Sequence, residues 1–476
     1  MSFAGLYLHA ARTARPRQLL ARAVRPVRRR RFPRAATSGL APIPAVEGLW
    51  RSPAFARMEL DARGAGTRLY AFHEQYGEDA LEAARAGDAT RAGERIAAWI
   101  AAHPPMLGDP WHPYVCSTRI GNWIAAMTLE PPAETLETAQ SVGRQLAYVA
   151  ANVEDDILGN HVIRNARALV LGGIATGSGR LAGRGLELLR RELPEQVLPD
   201  GGHYERSPVY HAIVLRDLLE VRAATSEPFL TLPIERMRAF GSALARPDGA
   251  PALFNDGSLD LAPQLELPPP ENGVSTFRHT GYVVVRSSRL WLALDCGAVA
   301  PAFLPPHAHA DALSFQLWVD GEPVVIDPGT WTYDAGPERD LLRSTLAHAT
   351  VTVDGQSQFE PWGAFRAGPL PRVELVGTSE CEATALVLWR GEVSHRRRIR
   401  WNDDAILVSD VVAGPGSHAA ESRLPVAAGA AERIEGEYEV ERGLRSERLF
   451  HREEGNVLVR RAHGALPLEL EWRIRR

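Results

Sequence analysis

A proline-rich stretch, residues 264–273, divides the chain into two parts with different hydrophobic periodicity. Before it, from about residue 68 to 246, apolar side chains recur every three or four positions, which is the spacing of helices with one buried face. After it, short runs rich in β-branched and aromatic residues alternate with turns, as strands do. Because three consecutive prolines and a glycine end a helical pattern, the sequence predicts an all-α block followed by an all-β block.

Three helical segments show the pattern most clearly. Their buried faces are predicted to carry Leu136, Ala139, Val142, Leu146 and Val149 in the first; Val162, Ala166, Leu169 and Val170 in the second; and Tyr210, Ile213, Val214, Asp217, Leu218 and Val221 in the third. Ser207-Pro208 predicts the start of the third helix, with serine as the N-cap and proline at the first helical position. Repeated helical hairpins suit an (α/α) toroid, although periodicity alone equally permits an irregular bundle.

The second half predicts antiparallel sheets stacked as a β-sandwich. The strand candidates are TGYVVVRSS, LWLALDCG, ALSFQLWV, PVVID, ATVTV, VELVG, ALVLWRG and AILVSDVV. Asp320-Gly321 and Asp354-Gly355 are typical of tight hairpin turns. The predicted fold is therefore an α+β multidomain chain, with a basic arm over residues 1–45, a helical domain over 46–265 and a sandwich over 274–476.

Length and composition limit the function classes. A chain of 476 residues is too long for one ordinary core, and 45% hydrophobic residues is a globular composition. The net charge of −4 gives no general indication of a nucleic-acid partner, and no apolar run is long enough to span a membrane. Lysine is absent, so all basic charge is arginine. Three widely separated cysteines argue against a disulfide framework and favour a reducing compartment.

The first 46 residues contain no acidic side chain and include four consecutive arginines, residues 28–31. No apolar stretch of the kind that a secretory signal needs follows them, so we expect a cytoplasmic location, with export by an unrecognised route as the alternative. The basic arm is expected either to touch an anionic surface or to lie solvated on the outside of the first domain.

Two histidines and a carboxylate follow in close succession in the β-rich half. His309 belongs to a His-x-His pair with His307, Asp327 precedes Pro328-Gly329, and His348 ends the pattern RSTxAH. Two imidazoles and a carboxylate suit a zinc-type ion with one coordination position left open. Considered individually, Asp327 is expected to begin a turn and His348 to be a core histidine. The occurrence of these motifs together and in this order favours a metal site instead.

Two motifs lie in the helical half. Gly159-Asn160-His161 opens one helix, and the pattern DGxxxExSPxYH spans residues 200–211. Together with the His-x-His, DPG and RSTxAH motifs, these segments resemble the heparinase II/III family of polysaccharide lyases. The resemblance covers most of the chain after about residue 45. It implies a toroid followed by a β-sandwich, with a site between the domains, and eliminative cleavage of a uronic-acid-containing polysaccharide to an unsaturated uronyl end. Glycosaminoglycans are the first expected substrates, and alginate or a bacterial exopolysaccharide the next.

The resemblance also implies roles for individual residues. Elimination removes the C5 proton of a uronate and expels the C4 oxygen, so it needs a donor on the carboxylate, a base and an acid. Asn160 fits the carboxylate, with His161 as helper or base. Tyr210 is expected as the principal acid or base, with Tyr204 as the fallback, and His307 resembles the family's second catalytic histidine. His309, Asp327 and His348 are implied as ligands of one divalent metal, expected to be zinc and mainly structural.

Further residues are candidates for substrate binding, because aromatic rings stack on sugars and arginine binds carboxylate or sulfate. They are Tyr204, Glu205, Arg119, Trp123 and Arg343. Trp123 is also expected in the helical core, Asn160 also fits a helix N-cap, and Asp256 lies in a predicted turn, Phe254-Asn255-Asp256-Gly257.

Two other functions stay open. In a zinc-dependent hydrolase, the same three ligands would hold an attacking water. A non-catalytic protein for polysaccharide binding or exopolysaccharide biosynthesis would need no acid and base. The expected partner in each case is an anionic, uronate-containing polysaccharide, with no nucleic acid and no transmembrane segment.

Overall fold

The structure is a computed structural model that describes residues 3–28, 37, 39–51, 67–131, 135–389 and 392–476. Its first half is helical: α1 Phe3–Thr13, α2 Pro16–Arg28, α3 Glu47–Arg51, α4 Arg68–His73, α5 Glu78–Arg85, α6 Ala89–Ala102, α7 Pro113–Leu129, α8 Leu136–Ala151, α9 Asn160–Ala175, α10 Gly179–Gln196, α11 Pro208–Thr225 and α12 Thr231–Leu244. Arg29, Arg30 and Arg31 of the predicted arginine run lie outside the described residues.

The helices form in the order that the periodicity predicts. Ala139, Val142, Leu146 and Val149 of α8 are fully buried, whereas Leu136 is 60% exposed and does not belong to the buried face. Helix α9 lies at the centre, because it packs against α7, α8, α10 and α11. At the start of α11, the Ser207 hydroxyl accepts a hydrogen bond from the Tyr210 amide, which confirms the predicted cap.

The second half is built of antiparallel strands: β1 Gly273–Phe277, β2 Tyr282–Arg286, β3 Leu290–Asp295, β4 Phe315–Val319, β5 Glu322–Val325, β6 Val351–Val353, β7 Pro361–Trp362, β8 Arg366–Ala367, β9 Arg372–Thr378, β10 Glu382–Leu388, β11 Ser394–Trp401, β12 Ala405–Ala413, β13 Ser417–Val426, β14 Ile434–Glu435, β15 Glu439–Arg448, β16 His451–Ala465 and β17 Leu468–Arg475. One short helix, α13 Pro337–Leu342, interrupts them. Every predicted strand segment overlaps one of these strands.

Two large sheets stack to form the sandwich. The first has the order β1-β2-β3-β4-β5-β13-β16-β15, with β6 paired to β13, and the second has the order β14-β17-β12-β11-β10-β9. Asp320-Gly321 joins β4 to β5 with positive φ at both residues, as predicted. Asp354-Gly355 also has positive φ, but the turn closes only an isolated bridge between Val353 and Gln356, since β6 pairs with β13 instead.

The predicted α+β architecture, an (α/α) toroid followed by an antiparallel β-sandwich, is confirmed. The predicted domain boundaries at residues 45, 265 and 274 stay predictions. None of the described helices is both long and apolar enough to cross a bilayer.

Candidate active site

The site begins with a contact between the two halves of the molecule. Tyr210 lies in the first turn of α11, where the Ser207-Pro208 cap sets its position. His307 comes from the loop between β3 and β4, and its ring stacks on that of Tyr210 with 3.8 Å between centroids and 28° between planes. Tyr210 and His307, which are 97 positions apart in sequence and come from different halves, are thus in direct contact.

A second tyrosine, Tyr333, completes the contact. The Tyr210 hydroxyl donates a hydrogen bond to the Tyr333 hydroxyl at 3.1 Å. Burial raises the pKa of Tyr210 well above its usual range, and the neighbouring Tyr333 and Asp256 raise it further, so its proton is held at neutral pH. The sequence analysis missed Tyr333; its position six residues after Asp327, in the DPGTWTY stretch, was the only available signal.

Asp256 orients the histidines of the His-x-His pair. Its Oδ2 lies 3.0 Å from His307 Nδ1 and its Oδ1 lies 2.9 Å from His309 Nε2. Both carboxylate oxygens also accept hydrogen bonds from the Arg339 guanidinium, and Asp256 is fully buried. Burial alone would raise the pKa of Asp256, but Arg339 and the two histidines lower it well below its usual range. The predicted turn residue is therefore a buried anchor of the site, which sequence reasoning underestimated because Arg339 lies 83 positions away.

Asn160 opens α9 and is held by Glu205. Its amide Nδ2 donates to Glu205 Oε2 at 2.9 Å and its backbone N–H donates to Glu205 Oε1 at 3.3 Å, while Asn160 Oδ1 has no partner among the described residues. The N-cap position belongs to Gly159, so Asn160 is the first helical residue rather than the cap. Gly159 has φ 59°, and a Cβ there would collide with the Glu205 carboxylate, which is why this position requires glycine.

His161 is oriented from behind by Glu154. Its Nδ1 lies 3.0 Å from Glu154 Oε1, and Asn165 Nδ2 donates to the other oxygen of Glu154 at 2.9 Å. Burial would raise the pKa of Glu154, but the neighbouring His161 and His112 lower it to about 2. Burial opposes the protonation of His161, but Glu154 raises its pKa above the ordinary value. Glu154 therefore favours the protonated form of His161.

Tyr114 lies between the Asn160-His161 pair and the Tyr210-His307 contact. Its ring centroid is 4.5 Å from that of His161, and its hydroxyl is close enough to Tyr210 and Tyr333 to raise the pKa of both. Tyr114 is thus a neighbour both of the α9 residue His161 and of the tyrosines at the contact between the two halves. Tyr114 is the second residue of α7.

A candidate metal centre lies in the β-sandwich half. Ligand atoms of Asp311, Asp327 and His348 all lie within 4.8 Å of one another, and the three residues are buried. Gly329 N donates to Asp327 Oδ1 at 2.8 Å in the predicted turn, and Asp327 Oδ2 lies 2.9 Å from His348 Nδ1. His348 Nε2 is placed to donate to the Leu342 carbonyl, so that Nδ1 is the nitrogen available to an ion.

This centre differs from the predicted set by one member. Asp311 belongs to the cluster and His309 does not, because His309 Nε2 is directed to Asp256 instead. The His309 ring nevertheless lies 5.3 Å from that of His348, and its Nδ1 has no partner among the described residues. Asp311 Oδ1 is likewise buried without a described partner. The sequence missed Asp311 although it lies only two residues after His309.

Two family models match the chain: Heparinase II/III N-terminus over residues 102–260, and Heparinase II/III-like, C-terminal, over residues 269–476. The chain belongs to the heparinase II/III family.

Relatives of this heparinase II/III protein include a heparin-sulfate lyase of Bacteroides stercoris, 24% identical over 42% of this chain and 36% of the relative. The FtsZ-localized protein C of Caulobacter vibrioides is 26% identical over 57% of this chain and 50% of the relative. The chain thus spans at most half of the length of these curated relatives.

Solved structures share the fold of this family member. A crystal structure of heparinase III superimposes with a TM-score of 0.67 at 15% identity, covering 96% of this chain and 89% of the other. The chondroitin AC lyase of Streptomyces coelicolor A3, in complex with chondroitin sulphate, gives a TM-score of 0.53 at 13% identity and covers 98% of this chain and 79% of the other. Both likenesses support the toroid followed by a sandwich.

Three residues predicted to bind substrate are core residues in this heparinase II/III protein. Arg119 is fully buried and donates to Gln145 and to the carbonyls of Gln75 and Pro110, and Trp123 is 1% exposed. Arg343 is also fully buried; it donates to carbonyls of the β7–β8 hairpin and to the Ala308 carbonyl. It therefore ties that hairpin to the loop that carries His307, and the substrate-binding roles predicted for these three residues stay predictions.

Tyr204 and Glu205 lie against the start of α9. Both are at most 5% exposed. The Tyr204 hydroxyl accepts from the Gly159 N–H at 3.1 Å, and Glu205 holds Asn160. Their observed contacts position Asn160, and the substrate contact predicted for both stays a prediction. The catalytic roles predicted for Asn160, His161, Tyr210 and His307 stay predictions.

Proposed function

We propose that this chain is a polysaccharide lyase that cleaves a uronic-acid-containing polysaccharide by β-elimination and leaves an unsaturated uronyl end. The observation that carries the proposal is the contact of Tyr210 with His307 beside Tyr114 and the α9 residues Asn160 and His161. A carboxylate donor, a base and an acid are the three groups that the reaction needs. The lyase names of relatives support the class, and glycosaminoglycans are the first proposed substrates.

The uronate carboxylate binds at the start of α9. Glu205 accepts from only one of the two amide hydrogens of Asn160, so the other remains for the substrate. With Nδ1–H donating to Glu154, a protonated His161 directs Nε2–H to the same carboxylate. These donors stabilise the negative charge that develops as the C5 proton leaves. The helix N-terminus adds a favourable dipole for an anion.

His307 and Tyr210 then divide the proton transfers. Since Asp256 accepts from Nδ1–H of His307, the Nε2 lone pair is the base that takes the C5 proton. Electrons of the C5–H bond form the C4=C5 double bond as the bond from C4 to the bridging oxygen breaks. Tyr210, whose high pKa keeps it protonated, donates its proton to the leaving oxygen. Tyr333, 3.1 Å away, is placed to pass a proton back to Tyr210.

We propose one divalent ion, zinc by its ligand types, held by Asp327, His348 and Asp311, with His309 Nδ1 as a fourth candidate. The donor set fits, because Asp311 Oδ1 and His309 Nδ1 are buried acceptors without described partners. Such an ion would neutralise the clustered carboxylates and fix the loop that presents His307. The burial of this centre argues against the zinc-dependent hydrolase, because an ion that activates an attacking water must be reached by substrate.

The decisive experiment follows the ultraviolet absorbance of the unsaturated uronate. Purified protein is incubated with heparan sulfate, hyaluronan, chondroitin sulfate, alginate and glucuronan, in parallel with a Tyr210→Phe variant. An increase that the variant loses supports elimination and identifies the substrate class. Chain shortening without the increase contradicts elimination and supports hydrolysis. Binding of a polymer to the protein without any cleavage supports the function of a non-catalytic polysaccharide-binding protein instead.

A cytoplasmic location is kept as a proposal. It is tested by fractionating cells that express the full chain and locating it by immunoblot. Recovery in the medium or in a periplasmic extract would contradict it.

A further inference from the structure

The second N-terminal helix, α2, packs in an unusual orientation. In α2, Arg17 donates to Glu192 at 2.9 Å and Arg25 donates to Asp156 at 2.6 Å, while Gln18, 1% exposed, donates to the Phe303 carbonyl at 3.3 Å. The polar side of α2 therefore faces the protein. An amphipathic helix of a globular protein normally turns its apolar side inward.

The opposite side of α2 is apolar and faces solvent. Leu19, Leu20, Ala23 and Val27 follow the three-and-four spacing of one helix face; Leu19 is 45%, Leu20 66% and Val27 60% exposed. In α1, Leu8 is 51% exposed and the neighbouring Ala4 and Ala11 are also exposed. We name these seven residues the outer face. No described residue covers it, and exposed apolar patches of this kind mark interaction sites.

Charge indicates what covers the outer face. The first 46 residues contain ten arginines and no acidic residue, although the whole chain has a net charge of −4. Arg12 and Arg22 are exposed at the edge of the outer face, and five further arginines follow Val27 between residues 28 and 34. The rest of the protein thus has a net negative charge, so a net positive charge lies in the segment that carries the exposed leucines.

We propose that the outer face of α1 and α2 docks on the surface of an anionic phospholipid bilayer. Leucine and valine side chains enter the boundary between headgroups and acyl chains, and the flanking arginines bind lipid phosphates. A second copy of the chain is a poor partner, because two equally basic faces repel each other. A polyanion such as a nucleic acid or a free polysaccharide would need the arginines but leave the apolar stripe exposed. The inward contacts of Arg17 and Arg25 keep the helices attached to the enzyme while it docks.

Co-sedimentation of the full chain with vesicles tests the proposal. The protein is expected to sediment with mixed phosphatidylglycerol–phosphatidylcholine vesicles and to stay in solution with pure phosphatidylcholine, and added salt weakens binding. A Leu19→Glu, Leu20→Glu double variant should reduce the partition coefficient about tenfold or more, since it places two anionic groups in the stripe. The matched control is Leu232→Glu, a 53% exposed leucine in α12, which should bind as the wild type does.

Three results would overturn the proposal. If wild-type protein does not bind the anionic vesicles, an anionic bilayer is excluded as the partner of the outer face. Undiminished binding of the double variant shows that charge alone carries the adsorption and that the outer face is not used. The third result is that light scattering finds a wild-type dimer that does not bind vesicles, with the double variant a monomer. That result would assign the outer face to contact with a second copy of the chain. Unfolding temperatures of all variants are measured first, and they should be unchanged because the substituted side chains are exposed.

Discussion

Two histidines, one on each side of the site, have the same kind of partner but a different charge balance. His161 Nδ1 pairs with Glu154 and His307 Nδ1 pairs with Asp256. Arg339 already neutralises Asp256 through both carboxylate oxygens, whereas no arginine of the described residues forms an ion pair with Glu154. A carboxylate stabilises an imidazolium only as far as its charge is uncompensated. The carboxylate on the sandwich side is therefore shared with a permanent cation, whereas Glu154 on the helical side acts on His161 without an arginine among the described residues.

The largest expected effect comes from removing the base. His307→Ala should lower kcat about 10²–10⁴-fold, the usual contribution of general acid-base catalysis, with a smaller change in KM. Steady-state kinetics on the best substrate of the panel measure it. The control His451→Ala, at a 63% exposed histidine paired with Glu453, should keep wild-type kinetics. A loss confined to KM would show that His307 binds substrate rather than taking its proton.

The second-largest effect is expected from removing Arg339, the arginine that neutralises the Asp256 carboxylate. Arg339→Gln leaves Asp256 buried without its guanidinium and should cost about 3–5 kcal/mol of unfolding free energy. Because the pKa of Asp256 is lowered in the fold, its contribution is present above about pH 4 and is lost as pH falls through the folded pKa. Denaturant unfolding at several pH values measures this. Arg372→Gln, at a 75% exposed arginine, should cost less than about 1 kcal/mol.

Arg339→Gln also tests the difference in charge balance between the two histidines. With Asp256 uncompensated, the pH profile of kcat/KM should differ from that of the wild type, because Asp256 contacts His307 directly. An unchanged profile would show that Arg339 does not act on His307 through Asp256.

Glu154→Gln should convert His161 toward a neutral imidazole. Since Glu154 raises the pKa of His161, the variant should lower it and move the high-pH limb of kcat/KM to lower pH, with about tenfold less activity above neutrality. The groups that remain near His161 are Glu205, Asp156, His112 and Tyr114. Imidazole NMR titration reports the shift whether or not the chain is a lyase. The resonance of the partly exposed His418, paired with Asp354, is the internal control.

The same pair gives a pH dependence of stability. A raised pKa in the fold means that the contribution of His161 is complete below its unfolded pKa of about 6.5 and is lost as pH rises through the folded value. Wild type and Glu154→Gln should therefore differ most in unfolding free energy near pH 6 and less at alkaline pH. An equal difference at all pH values would show that packing, not charge, sets the contribution of Glu154.

The smallest effect on activity is expected from the metal centre. Asp311→Asn should lower the bound metal, measured by elemental analysis, and reduce the unfolding temperature by a few degrees, about what the loss of 1 kcal/mol causes. His309→Ala compares the fourth candidate ligand directly. Equal metal content in Asp311→Asn and wild type, together with loss in His309→Ala, would restore the set that the sequence predicted.

Much of the architecture was predictable because it follows from local periodicity. The change at residues 264–273, the Ser207-Pro208 cap and the Asp320-Gly321 turn each depend on a few neighbouring residues, and all three have their predicted structure. The motif residues were likewise found in order along the chain, since the family resemblance is a property of sequence.

The sequence by itself determined the order of the two halves. It also predicted the candidate site residues Asn160, Tyr210, His307, Asp327 and His348. Only the tertiary structure decided which charges lie together. It buried Arg119 and Arg343, moved Asp311 into the metal cluster, and joined Asp256 to Arg339 across 83 positions. Burial and electrostatic pairing depend on contacts between residues distant in sequence, and no local pattern records them. For that reason the residue types were predictable, but their protonation states required the fold.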